Sequence, residues 1–213
     1  MFINVQLFTT FVHKMTTILN SGFERVIKLF YEHRNESLHL REIARKTNLY
    51  GQSVTRYLDK LEKEGIIKSS REGNLKKYSI ARAGKTYSLF TLFDIEKLDK
   101  LPSIRKEAIR KYLEKLPERP AIAVLFGSTA KGGFREGSDI DILLITNNKI
   151  KTEKAENAAD AQTSIKITSF QMTYEDFIDE IKLKKDPVVQ SAITTGYPVA
   201  NHIAYYEALY ERL

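Results

Sequence analysis

Apolar residues recur three and four positions apart from residue 23 onward. Phe23, Val26, Ile27, Phe30 and Tyr31 make one buried helical stripe after Ser21-Gly22. A short Leu38-His39-Leu40 stretch leads into a second, short helix over Arg41–Thr47, with Ile43 and Ala44 inward. Asn48-Leu49-Tyr50-Gly51 has the composition of a turn. A third helix, Gln52–Glu64, splits into two faces. Val54, Tyr57, Leu58 and Leu61 have core spacing, while Ser53, Arg56, Lys60 and Lys63 lie on the other side. Gly65 ends it, and Ile66–Ser70 and Lys76–Ile80 read as a hairpin turning at Glu72-Gly73-Asn74. Ala83–Leu98 then carries Tyr87, Leu89, Phe90, Leu92, Phe93, Ile95 and Leu98, more apolar surface than one helical stripe against one partner requires.

The pattern changes after Leu101-Pro102-Ser103. A helix bearing Ile104, Ala108, Ile109, Tyr112, Leu113 and Leu116 on one side is stopped by Pro117 and Pro120. The continuous apolar run Ala121–Phe126 has the length of a strand buried on both faces, and Asp139–Ile145 reads as a second strand. Lys151–Gln162 is a polar helix, Ile165–Thr168 a short strand, and Thr173-Tyr174-Glu175-Asp176 a helix start with acidic first-turn residues. Asp186-Pro187 opens a helix that Gly196 closes. Tyr197-Pro198-Val199 followed by Tyr205, Tyr206, Leu209, Tyr210 and Leu213 predicts a final strand and a docking helix. The fold class expected is α+β in two domains, with residues 1–82 and 102–213 as the domains and 83–101 as a connecting helix.

Composition narrows the function classes. No stretch approaches the roughly 18 apolar residues of a membrane span. The apolar segment Met1–Val12 lacks a basic flank and a small-residue cleavage site, so a cytoplasmic protein is expected. The absence of cysteine excludes disulfides and thiolate chemistry, and His13, His33, His39 and His202 have no metal-ligand spacing. Any metal must therefore be held by carboxylates. Residues 1–100 carry 18 Lys+Arg against 11 Asp+Glu, whereas 101–213 carry 16 of each, so the net charge of +7 belongs to the first half. Fixed positive charge of this kind suits a polyanion, because binding releases counterions from phosphates.

The order helix, short helix, turn, basic helix, basic hairpin resembles the winged-helix DNA-binding domains of prokaryotic transcription regulators over about Gly22–Arg82. Leu40-Arg-Glu-Ile-Ala-Arg-Lys-Thr and Tyr57-Leu-Asp-Lys-Leu-Glu-Lys-Glu-Gly-Ile-Ile carry the likeness. The resemblance implies double-stranded DNA as partner. Ser53 and Arg56 would lie near base edges, Lys60 and Lys63 near phosphates, and Arg71, Lys76 and Lys77 on a wing reaching the backbone. The surplus apolar surface of Ala83–Leu98 is consistent with a homodimer, which would space two such domains for a palindromic operator.

The second half holds candidate chemistry. Gly127-Ser128 follows the apolar strand at a strand-to-helix corner, where backbone N–H groups and a hydroxyl can converge on an anion. After a gap of ten residues comes Asp139-Ile140-Asp141, whose carboxylates project from one face of a strand. Two adjacent carboxylates repel unless a cation lies between them, and magnesium bridging carboxylates to phosphate oxygens is the usual use of such a pair. The stretch Gly127-Ser-Thr-Ala-Lys-Gly-Gly-Phe-Arg-Glu-Gly-Ser-Asp-Ile-Asp141 resembles the signature of the nucleotidyltransferase superfamily to which DNA polymerase beta belongs, in its small form. That resemblance implies nucleotide binding by Gly127, Ser128 and Lys131, with Arg135 a further basic neighbour. It also implies Mg2+ (or Mn2+) and catalysis at Asp139 and Asp141, with an NTP as substrate or ligand.

One departure from the family pattern stands out. The family's third acidic residue sits on a later strand, and alternation in Ile165-Lys166-Ile167-Thr168 puts Lys166 in its place. An ammonium neither ligates magnesium nor acts as a carboxylate base. Two functions therefore stay open: a DNA-binding regulator whose second domain binds Mg-NTP with weak or lost catalysis, and an active transferase moving NMP to a hydroxyl of a partner protein, a nucleic acid or a small molecule.

Overall fold

The computed structural model describes residues 21–210; the apolar N-terminal segment, His13 and Leu213 lie outside them. The chain divides into two compact units after Phe93. In the first, α1 (Ser21–Glu32), α2 (Leu40–Thr47) and α3 (Gly51–Lys63) accompany a three-stranded sheet. That sheet is made of β1 (Leu38–His39), β2 (Ile67–Glu72) and β3 (Leu75–Ile80) in the order β1-β3-β2. Burial follows the helical stripes: Val26, Ile27 and Phe30 of α1, Ile43 of α2, and Val54, Leu58 and Leu61 of α3 are all core residues. His39 caps α2 by accepting from the Glu42 N–H at 3.0 Å, and Asn48 ends it in the left-handed region at φ 52°. The β2–β3 hairpin pairs Ile67 with Ile80 and Glu72 with Leu75 around Gly73, whose φ of 60° suits glycine.

The long helix α4 (Gly84–Asp99) crosses the division. Within the first unit, Phe90 and Phe93 pack on Tyr31 at ring-centroid distances of 5.3 and 5.2 Å. Within the second, the buried Asp94 accepts from the Tyr206 hydroxyl, 2.8 and 3.0 Å from its two oxygens. A buried carboxylate without such a donor would be strongly destabilising.

The second unit is built on a mixed four-stranded sheet of β4 (Ile122–Phe126), β5 (Ile140–Thr146), β6 (Ile167–Thr173) and β7 (Tyr197–Ala200), in the order β6-β5-β4-β7. The β4–β5 and β4–β7 pairs are antiparallel and β5–β6 is parallel. The two central strands are the two apolar runs: every residue of β4 is buried, as is every residue of β5 except Asp141. Pro198, which has no N–H to give to a ladder, sits on the edge strand β7. The helices are α5 (Ser103–Lys115), the short α6 (Gly127–Lys131), α7 (Glu153–Thr163), α8 (Tyr174–Leu183), α9 (Pro187–Thr195) and α10 (His202–Tyr210). Asp186 caps α9 through the Val188 and Val189 N–H groups at 2.8 and 3.1 Å.

Two expectations change. The strand expected over 165–168 runs instead from Ile167 to Thr173. Its second half, Ser-Phe-Gln-Met-Thr, lacks clean alternation. There the polar Gln171 is satisfied by the backbone of Ile150, accepting from its N–H at 3.1 Å and donating to its carbonyl at 3.0 Å. On α5, the inward stripe begins at Arg105, which is 4% exposed, and not at Ile104, which is 47% exposed.

Candidate functional site

The first unit presents a basic helix and hairpin. On α3, Arg56, Lys60 and Lys63 are exposed and Ser53 is half-buried. Gln52, Thr55 and Asp59 are exposed as well. These three share the exposed face with Arg56, Lys60 and Lys63. Tyr50, just before α3, is 87% exposed. The wing is tied to this helix. Glu62 of α3 accepts from the Ser69 hydroxyl and from Lys76 Nζ, the latter at 3.1 Å, which holds the Glu62 carboxyl below its ordinary range. Lys76 also lies over the Tyr78 ring, 4.9 Å from its centroid, and Lys77 pairs with Glu72. Of the three wing residues expected to meet DNA, Arg71 and Lys76 are exposed and Lys77 is half-buried, and the two lysines are ion-paired with Glu62 and Glu72.

In the second unit, the strand register brings the Gly-Ser corner and the acidic strand together. Phe126, the last residue of β4, pairs with Asp141 of β5. Gly127 then turns at φ 69°, and a Cβ placed on it would lie 2.2 Å from Asp141 Oδ2. Glycine suits this turn, because any other residue would have to hold the left-handed conformation and press its Cβ on the carboxylate. Burial, with Asp139 adding like-charge repulsion, pushes the Asp141 carboxyl above its ordinary range. Asp139 is engaged from the neighbouring strand. Thr168 Oγ1 donates to its Oδ2 at 3.2 Å, and Lys166 Nζ lies 3.9 Å from the same oxygen.

The parallel register pairs Thr168 with Asp141, while the Lys166 carbonyl accepts from the Ile140 N–H. Beside the acidic pair therefore stand a threonine of β6 and the lysine just before that strand. Among the described residues no group of three or more His, Cys, Asp and Glu could hold a metal ion. Two carboxylates suit magnesium where substrate phosphates and water complete its octahedron, so the donor set fits a nucleotide-bound cation better than a protein-caged one. Ser128 is half-buried in the turn. Lys131, at the end of α6, and Arg135 are exposed.

Three residues around the site do not follow from the motif itself: Arg105, Thr129 and Thr168. Arg105 Nη1 donates to the buried Thr129 hydroxyl at 2.8 Å and Nη2 to the Ser138 carbonyl at 2.8 Å, both in the connection between corner and acidic strand. Its position three, four and seven residues before Ala108, Ile109 and Tyr112 places it on the apolar stripe, which is the signal that could have found it.

Comparison with known proteins agrees with both halves. The family described as polymerase beta, nucleotidyltransferase matches residues 107–201, and the family described as winged helix-turn-helix DNA-binding matches residues 25–68. No curated protein matches the chain. Among solved structures, MepR, a transcription regulator of the Staphylococcus aureus multidrug efflux pump MepA, is 19% identical; the match covers 54% of this chain and 96% of MepR, with a TM-score of 0.33. Lactococcus lactis ZitR, wild type in complex with DNA, is 22% identical, and the match covers 45% of this chain and 71% of ZitR with a TM-score of 0.29. The chain therefore carries a winged helix-turn-helix DNA-binding domain followed by a polymerase-beta-type nucleotidyltransferase domain.

Proposed function

We propose that this protein is a DNA-binding transcription regulator whose second domain binds Mg-NTP as a signal and turns it over weakly or not at all. The observation that carries this reading is the pair Lys166 and Thr168 beside Asp139, where a third carboxylate would be needed to take the proton of an incoming hydroxyl. Asp139 and Asp141 would hold the cation. Ser128 and the backbone around the Gly127 turn would receive the phosphates, with Lys131 neutralising part of their charge. When bound, magnesium would polarise the α-phosphate. On the DNA side, Ser53 and Arg56 would lie near base edges, while Lys60, Lys63, Arg71, Lys76 and Lys77 would supply cations for the phosphate backbone. Two copies joined through α4 would address a palindromic operator.

The retention of both carboxylates, with Asp141 against Gly127, favours a second reading, an active transferase. In that reading a hydroxyl attacks the α-phosphorus, pyrophosphate leaves, and NMP is joined to the acceptor. The deciding experiment incubates the protein with each of the four α-labelled NTPs, Mg2+ or Mn2+ and source-cell lysate, beside the Asp139→Asn/Asp141→Asn protein. No labelled product together with retained Mg-NTP binding is the expected result. A discrete labelled product that the double variant fails to make would overturn the regulator reading in favour of the enzyme.

A further inference from the structure

The segment between the Gly127-Ser128 corner and the acidic strand is rich in glycine and exposed. It holds Gly132, Gly133 and Gly137, with φ of 72° at Gly132 and 80° at Gly137, and most of residues 131–137 are exposed. Each such glycine adds freedom that ordering must overcome. A two-carboxylate site works only if its phosphate-binding corner and its carboxylates keep a fixed separation, since a misplacement of an ångström is enough to weaken it severely.

One side chain from another element spans this segment. Arg105 of α5 donates to the Thr129 hydroxyl (2.8 Å), the Arg135 carbonyl (3.4 Å) and the Ser138 carbonyl (2.8 Å). Its guanidinium also lies over the Phe134 ring, 4.0 Å from the centroid. Thr129 in turn reaches the Asp139 carbonyl at 3.5 Å. The contacts thus touch both ends and the middle of the connection. Among the described residues no carboxylate pairs with Arg105, although it is 4% exposed. Packing alone does not account for such a residue, because an apolar side chain on the same stripe as Ala108, Ile109 and Tyr112 would avoid the cost of burying a cation. The fork geometry of a guanidinium, with donors in fixed directions, does account for it. Arg105 also lies outside residues 107–201, the part of the chain that matches the nucleotidyltransferase family.

We propose that Arg105 is a positioning residue that sets the separation between the Gly127-Ser128 corner and the Asp139/Asp141 pair by clamping residues 129–138. The proposal deepens the nucleotide-binding reading above and rests on it. Arg105 acts through the segment it holds.

The test compares the full-length protein with Arg105→Met, Arg105→Lys and Thr129→Val, reading amide hydrogen exchange along the second domain and affinity for a fluorescent ATP analogue in Mg2+. Losing a charge-assisted hydrogen bond corresponds to about tenfold or more in an equilibrium. Exchange over 129–138 should therefore rise about tenfold in Arg105→Met, with β4 and β5 unchanged and the analogue bound about tenfold more weakly. Arg105→Lys should recover part of both effects. Thr129→Val, the milder change, should loosen the same segment should Arg105→Met fail to fold. Unchanged exchange over 129–138, or faster exchange spread through β4 and β5, would overturn the proposal, as would wild-type affinity in Arg105→Met. If the unsubstituted protein binds no analogue, the nucleotide-binding reading fails, and the clamp itself stands or falls on the exchange of residues 129–138.

Discussion

A methyl group added to Gly127 would meet Asp141 Oδ2 at 2.2 Å and would also have to tolerate φ 69°. Gly127→Ala is therefore expected to destabilise the second domain by about 1–3 kcal/mol, the usual cost of a side chain in such a conformation. It should also abolish Mg-NTP binding, because relief of the clash must move Asp141. Thermal unfolding and nucleotide titration of the same protein check both effects. Asp141 makes a second prediction. Burial and the neighbouring Asp139 raise its folded pKa above the unfolded value, so its ionised form opposes folding. That penalty is absent in acid below the ordinary carboxylate range and grows as pH rises through the raised value. Asp141→Asn should accordingly raise the melting temperature of the ligand-free second domain at pH 7 and leave it nearly unchanged at pH 3, while removing cation binding. A lower melting temperature at pH 7 would show that Asp141 is held by an attraction stronger than its neighbour's repulsion.

At the scale of elements, α3 and its hairpin act as one unit, because Glu62 joins Ser69 and Lys76 of the wing to the helix. The exposed pair contributes little stability, yet it orients the hairpin and partly neutralises Lys76. On the reading proposed above, Lys60, Lys63 and Arg71 would supply contacts to the phosphate backbone. Alanine at each of these is expected to weaken binding across sequences and to reduce the slope of log affinity against log salt by about 1 per lost phosphate contact. A change in sequence preference without a change in slope at Arg56 would instead mark it as a base reader. The second domain shows the same dependence on partners between elements. Neither β4 nor β5 makes a site alone, but their antiparallel register puts the Gly127 turn against Asp141, and β6 in parallel register sets Thr168, with Lys166 just before the strand, beside the pair.

At the scale of the whole molecule, two compact units meet within the single helix α4, and each carries one of the two family matches. Helices α1 and α3, the buried runs β4 and β5, and the caps at Asp186 and Gly65 were legible in the sequence, because local periodicity and local turn chemistry specify them. The Gly127-Ser128 corner and the Asp139-Ile140-Asp141 strand were legible for the same reason, since their residues sit close together in the chain. What the linear pattern could not supply was the partner of each polar group. Ile104 and Arg105 both fall on spacings compatible with the apolar stripe of α5, and the carbonyls of residues 135 and 138, together with the Thr129 hydroxyl, supply the partners with which the arginine turns inward. The extent of β6 depended on the Ile150 backbone that satisfies Gln171, and the surroundings of Asp139 on a register set across strands. Apolar spacing is a property of neighbours along the chain, whereas the satisfaction of a buried charge or amide is a property of groups brought together from far apart.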